Sequence, residues 1–400
     1  MSGRISIVKP SKPLGQAKSV AIIGTRGYPS YYGGFETAVR KIVPHLADAG
    51  WDVNVYGRAG AVKAEDPDLD PRVRSTLTPG LDTKSLSTLS YGLTAVLHSV
   101  FHRPDVALVM NVANGFWLPI LRLRRIPTVV NVDGIEWERA KWGRAAKFMF
   151  RMGAAFTARF ADVLVSDSVE IQRRWKAEFG RDSQFIPYGG DEPGVLPVVD
   201  GLQPGKYVLM VARFVPENSI LEFFEAVETL AQSHPVVIVG SSGYGGELDE
   251  KAAILSRHEN VTWLGHLSDD EKLLSLWQHA GAYFHGHSVG GTNPALVQAM
   301  AAGAPVVARR TPYNLEVLGS EEQLVDPEPN DIVRGLEAML GNVGTREAIS
   351  HQNKTRARDH YNWPGVSKAY ELAISDVSRD LSRNDRGRIM GTFFFSRMNK

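Results

Sequence analysis

The residues best suited to chemistry in this sequence lie in two glycine-rich loops, around one arginine and in one acidic turn. His285-Gly286-His287-Ser288-Val289-Gly290-Gly291-Thr292-Asn293-Pro294 follows an apolar run and precedes a helix-like segment, Ala295 to Ala302. Free N–H groups at a helix start attract an anion. The hydroxyl of Thr292 and the amide of Asn293 supply the directional hydrogen bonds by which sugars are told apart. Arg213 lies just past the apolar run Tyr207 to Val211. Its permanent charge and planar fork suit a diphosphate, and a surface salt bridge is the alternative. Gly33 and Gly34 precede a second helix-like segment, where a missing Cβ lets a ligand approach the backbone. The dinucleotide fingerprint Gly-x-Gly-x-x-Gly and a Walker lysine are absent there, which disfavours a dehydrogenase or a P-loop ATPase. Asp133 and Glu136 follow the apolar run Thr128 to Asn131 and suit hydroxyl binding or proton transfer, with helix capping by Asp133 as the alternative.

Other patterns point less sharply. His285 and His287 lack a nearby third ligand, and Asp66, Asp68 and Asp70 sit in a proline-broken acidic loop, so no metal is expected. Between Leu121 and Phe160 nine basic residues, Arg139 and Arg159 among them, face three acidic ones. Trp142, Phe148, Phe150 and Phe156 are interleaved, a pattern that fits an anionic membrane surface or a helix packing its aromatics inward.

The elements that must hold these residues are of α/β type. Short apolar runs at 19–23, 53–56, 106–110, 128–131 and 163–166 alternate with helix-like segments at 36–49, 86–101, 140–160 and 170–179. Residues 193–205 carry Pro193, Pro197 and Pro204 with three glycines and read as a linker, after which the alternation restarts. Strands are expected at 207–211, 235–239, 261–263, 282–284 and 305–308. The expectation is two facing Rossmann-like domains, 18–192 and 206–362, with an interdomain cleft. A flexible start (1–17), a last helix (363–385) and a flexible tail (386–400) complete the chain. Its 400 residues carry 45 basic and 44 acidic side chains, which gives no footprint for nucleic acid. There are no cysteines, hence no disulfides and no thiolate chemistry. The start lacks a signal-like apolar run and no segment is long enough to span a membrane, so a cytoplasmic location, or one peripheral to the inner face of the membrane, is expected.

Three segments resemble glycosyltransferase family 4, in its branch with a rhamnosyltransferase-type N-terminal domain. They are Ile22 to Pro29 with Gly33 to Thr37, Asn131 to Trp137 with Arg139 to Trp142, and Gly286 to Pro294. The resemblance implies a GT-B fold and a retaining transfer without metal or other cofactor. It implies a nucleotide-sugar held mainly by the C-terminal half and a glycan or lipid-linked sugar as acceptor. Arg213 then grips the diphosphate, and Gly33 and Gly34 border the donor. Gly290, Gly291, Thr292 and Asn293 face the donor sugar, with Glu316 beside it. Asn218 stands where the family keeps a lysine. Gly290 and Gln298 stand where the family keeps two glutamates, the second holding the donor ribose. Asp133 stands where many relatives keep an acceptor-side histidine. The branch suggests dTDP-rhamnose as donor and a polyprenyl-diphosphate-linked sugar as acceptor, in cell-surface polysaccharide synthesis. A UDP- or GDP-hexose donor, a nucleotide-sugar epimerase of the same fold, and a weakened nucleotide-sugar-binding scaffold remain open.

Overall fold

The computed structural model describes residues 17–31, 33–62, 66–81, 87–139, 142–243 and 245–395, with side chains up to 379. The N-terminal sheet holds β1 (Ser19–Ile23), β2 (Asp52–Gly57), β3 (Arg74–Leu77), β4 (Val106–Met110), β5 (Thr128–Asn131), β6 (Val163–Ser166) and β7 (Gln184–Phe185). Its order is β3-β2-β1-β4-β5-β6-β7, and its pairs are parallel, with Val20 level with both Val53 and Val106. The C-terminal sheet holds β8 (Val208–Val211), β9 (Val236–Val239), β10 (Val261–Trp263), β11 (Ala282–His285), β12 (Val306–Arg309) and β13 (Leu324–Val325). Its order is β10-β9-β8-β11-β12-β13, again parallel.

The central strands are apolar on both faces because helices cover both faces. In β1, Val20 and Ile22 enter one core with Val39, Ile42 and Leu46 of the helix Gly34–Asp48. Ala21 and Ile23 enter the opposite core with Ala95, Val96 and Val100 of the helix Ser87–His102. Each sheet reverses its winding once, between β1 and β4 and between β8 and β11. Open parallel sheets bind ligands outside the strand C-termini at such reversals. Arg213 and the Gly290-Gly291 loop leave the C-termini of β8 and β11, so the C-terminal reversal is where the sequence put its chemistry.

The final helix differs from expectation. It runs Trp363–Phe395, ten residues beyond the expected 385, and it belongs to the N-terminal domain. Trp363, Val366, Tyr370, Ile374 and Val377 join the core of β1, so the chain crosses between the halves twice. The two crossings lie side by side, with the Gly190 N–H donating to the Tyr361 carbonyl at 2.7 Å. Residues 194–197 of the linker are tied to the helix Asp270–His279 by Gln278, Ser275 and His279. The short strands β3, β7 and β13 and the helices Glu247–Leu255, Pro329–Gly341 and Val343–His360 were not anticipated from the sequence.

Candidate functional site

On the C-terminal domain, two loops form one hydrogen-bonded block. The Asn218 side chain donates Nδ2–H to the Arg213 carbonyl at 2.8 Å, and its Oδ1 meets His287 Nδ1 at 2.6 Å. Because Oδ1 is an acceptor, His287 must donate from Nδ1. Its Nε2 lies 3.7 Å from where a Gly290 Cβ would sit. Burial lowers the His287 pKa well below the usual imidazole value, and His285, Arg139 and Arg213 lower it further, so the ring is neutral. Ser288 donates twice to the Glu217 carbonyl, and Asn314 Nδ2 donates to the His287 and Arg309 carbonyls. Asn293 caps the helix Pro294–Ala302, its Oδ1 accepting the Ala295 N–H at 2.9 Å. Arg213 is exposed at the rim. His285 is buried against the Tyr283 hydroxyl, and burial brings its pKa down to about 3. Among the described residues no group of three or more His, Asp or Glu side chains is arranged to hold a metal.

On the N-terminal domain, Asn131 at the end of β5 accepts the Asp133 N–H and donates to the Tyr370 hydroxyl. Asp133 is held at φ +58°, a left-handed conformation that costs a non-glycine residue energy and turns the chain sharply. Ile135, rather than Asp133, stands at the cap position of the short turn Glu136–Glu138. Glu136 is buried, pairing with Arg139 Nε at 2.6 Å and accepting from Trp142 Nε1 at 2.7 Å. Gly33 lies just ahead of the helix Gly34–Asp48, but that helix start already holds a carboxylate: buried Glu36 accepts the Arg26 N–H and lies beside Gly33. A side chain on Gly34 would press on the Tyr188 hydroxyl and on Pro294 across the boundary.

The two faces touch. A Cβ on Gly134 would lie 3.1 Å from the Gly290 Cα, and one on Gly291 would lie 1.9 Å from Asp167 Oδ1. The Asp167 carbonyl accepts from both the N–H and the hydroxyl of Thr292. Asp167 is fully buried; burial first, then the Asp133 and Glu316 carboxylates, raise its pKa well above the usual range against the pull of Arg139. Glu316 crosses in the other direction. It accepts from the Ser168 hydroxyl at 2.9 Å and from the Val169 and Glu170 N–H groups at 2.8 and 3.3 Å, so it caps the helix Val169–Phe179. A carboxylate at a helix N-terminus is well placed for both its free N–H groups and its dipole.

Arg213 and Asn218 are thus joined through His287 to the Gly290 to Asn293 loop, which meets Gly134, next to Asp133, and Asp167 of the N-terminal domain, with Gly34 against Pro294 at the boundary and Glu136 behind Arg139. Glu316 lies at the domain contact. Gln298 is turned to the segment just ahead of the linker: its amide accepts the Asp191 N–H at 3.0 Å and donates to the Asp191 carbonyl at 2.7 Å. Asp66 and Asp68 accept the Tyr31 hydroxyl, and Asp70 pairs with Arg72, so this acidic loop binds its own chain. Sequence reasoning missed Asp167 and placed Arg139 at the start of a membrane-facing segment, whereas the half-buried Arg139 side chain lies against Glu136 and the Gly290 loop. The available signal for Asp167 was its place just past the C-terminus of β6, at the same sheet edge as the other site loops.

Two parallel-sheet Rossmann-like domains facing each other across their strand ends define the GT-B class of glycosyltransferase architecture. Residues 33–189 match the glycosyl transferase 4-like domain family, and residues 201–356 match glycosyl transferases group 1. The chain belongs to the group 1 glycosyltransferases with a 4-like N-terminal domain. It is similar to sucrose-phosphate synthase from Thermosynechococcus elongatus (TM-score 0.75, 19% identity, 92% of this chain and 100% of that one). It is also similar to the Anabaena protein HepE in complex with UDP-glucose (TM-score 0.68, 17% identity, 90% and 99%). In sequence it is 25% identical over 183 residues to an uncharacterized glycosyltransferase of Methanocaldococcus jannaschii, covering 44% of this chain and 47% of that protein. The chain spans about half the length of the curated relatives it matches.

Proposed function

We propose that this protein is a retaining glycosyltransferase that moves a sugar from a nucleotide-sugar to a glycan or lipid-linked sugar. The observation that supports it most is the meeting, at one crevice, of the arginine and glycine loop from the C-terminal sheet reversal with the Asp133 turn of the N-terminal domain. The donor diphosphate lies along Arg213 and the backbone of Gly290 and Gly291. Asn293 and His287 face the sugar and Asp133 faces the acceptor hydroxyl, whereas Thr292, expected at the donor sugar, is buried with its N–H and hydroxyl spent on the Asp167 carbonyl. The acceptor oxygen bonds to the anomeric carbon as the bond to the leaving phosphate oxygen breaks. That phosphate oxygen takes the acceptor's proton, so no covalent nucleophile is needed. Arg213 and nearby N–H groups stabilise the departing charge, and domain contact excludes water. Glu136 acts by holding Arg139. The donor we favour is dTDP-rhamnose, on the sequence resemblance, with a polyprenyl-diphosphate-linked acceptor.

A thermal-shift panel of dTDP-, UDP- and GDP-sugars tests this reading, because a ligand that binds the native state raises its melting temperature. Stabilisation by dTDP-rhamnose above the others, followed by its consumption with a lipid-linked acceptor, is the expected result. Stabilisation by UDP- or GDP-hexoses alone overturns the rhamnose assignment, and no stabilisation by any of them overturns the donor reading. Gln298 favours a second reading, a nucleotide-sugar-binding scaffold, because both ends of its amide are spent on Asp191. Donor binding without turnover, with activity gained in Gln298→Glu, would support it.

The helix Arg144–Phe160 supports a peripheral membrane contact. Phe148, Met149 and Met152 are exposed on it beside Arg144 and Arg151, while Phe156 packs against Phe116 and Phe160. Among the described residues no helix is long and apolar enough to cross a membrane.

A further inference from the structure

We propose that Arg139, carried by the N-terminal domain, is the second cation of the diphosphate site, opposite Arg213, so that the pair is complete only when the two domains meet. This rests on the donor reading above. A diphosphate leaving group spreads negative charge over two phosphates, and one rim arginine reaches one of them. Asn218, next along the Arg213 loop, offers no charge, and both ends of its amide are committed to His287 and to the Arg213 carbonyl. Arg139 reaches the same loop from the other side. Its Nη2 lies 3.2 Å from the Cβ positions of both Gly134 and Gly290, so only the absence of two side chains lets the guanidinium pass between the backbones.

The arginine is also held in place. Its Nε pairs with Glu136, which is fixed in turn by Trp142, and the Arg139 and Glu136 side chains are 15% and 5% exposed. Among the described residues neither Nη group donates a hydrogen bond. The His287 ring feels both guanidiniums, Arg139 and Arg213, which sets the two cations about one neutral imidazole. Burial opposes the charge on Arg139, and Glu136, Asp133, Glu217 and Asp167 more than offset that. These acids weaken the net field, so Arg139 contributes chiefly as a fixed hydrogen-bonding fork, which is where arginine outperforms a point charge. A clamp divided between domains ties leaving-group stabilisation to closure: the open enzyme holds the nucleotide by Arg213, and the closed enzyme adds Arg139.

The test is calorimetric binding of UDP, UMP, dTDP and dTMP to the wild-type chain, Arg139→Gln and Arg139→Lys, with thermal melting of each. The wild type is expected to favour a diphosphate over its monophosphate. Arg139→Gln should lose about ten- to a hundredfold of diphosphate affinity, the range for a hydrogen bond to a charged group, with monophosphate affinity unchanged. Arg139→Lys should fall between. If Arg139→Gln fails to fold because buried Glu136 loses its cation, Glu136→Gln/Arg139→Gln removes that burden and must show the same selective loss. A folded variant that keeps the diphosphate preference, or that loses both ligands equally, overturns the role of Arg139 and leaves the donor site standing. A wild type that binds none of the four nucleotides overturns the donor reading, and this inference with it.

Discussion

Gly291→Ala tests the domain contact most directly. A Cβ there would sit 1.9 Å from Asp167 Oδ1 and 2.4 Å from its Cγ, against an ordinary contact of about 3.4 Å. About 1.5 Å must therefore be found. The Asp167 carboxyl is fully buried, and its backbone carbonyl is pinned by Thr292, so the side chain has little room to turn away. The strain falls on the contact between domains. Overpacking of this kind costs about 1–3 kcal/mol, and each kcal/mol shifts the melting temperature of a domain this size by about 2–4 °C. Misplacing the donor loop by about an ångström costs on the order of a hundredfold in transfer rate. Melting curves and donor-dependent turnover should be measured for Gly291→Ala alone and with Asp167→Ala, which removes the obstructing oxygens. Melting temperature and part of the rate should return in the double variant. A single variant with wild-type melting and turnover would refute the packing argument, and a loss that Asp167→Ala does not relieve would place the cause elsewhere.

Asp167 gives a pH dependence of definite sign. Its pKa is raised in the fold, so above the usual carboxylate value the folded chain keeps a proton that the unfolded chain releases. Stability should then fall as pH rises, by up to about 1.4 kcal/mol per unit, from near pH 4 until the native group ionises. Asp167→Asn carries no such proton, so its advantage over wild type in urea unfolding should grow between pH 5 and pH 7; parallel curves would contradict this. Glu316→Ala removes three acceptor contacts across the boundary and should lower stability by about 0.5–2 kcal/mol while enlarging the radius of gyration in X-ray scattering. An unchanged radius would mean that the cap does not hold the domains together. Phe148→Ser with Met152→Ser should weaken sedimentation with anionic vesicles at low salt without changing the melting temperature, and equal sedimentation would remove the helix from any membrane contact.

What the sequence determined by itself is local. The apolar runs Val106–Met110, Thr128–Asn131, Val163–Ser166 and Val261–Trp263 are strands with the limits their hydrophobicity sets. The position of Arg213 and of Gly290 to Asn293 at one sheet edge was legible because each loop follows such a run, and a parallel sheet places every loop of that kind at one edge. The missed elements are short, like β3 and β7, or polar, like Val343–His360, where no apolar period stands out. Tertiary structure decided the rest. Glu316 caps a helix that begins 147 residues earlier, and Gln298 turns to Asp191 across 107 residues. Asp167 and Arg139 gain their meaning only from residues of the opposite domain. No local pattern encodes these contacts, because they depend on how two completed domains dock and on where the last helix returns to fasten them.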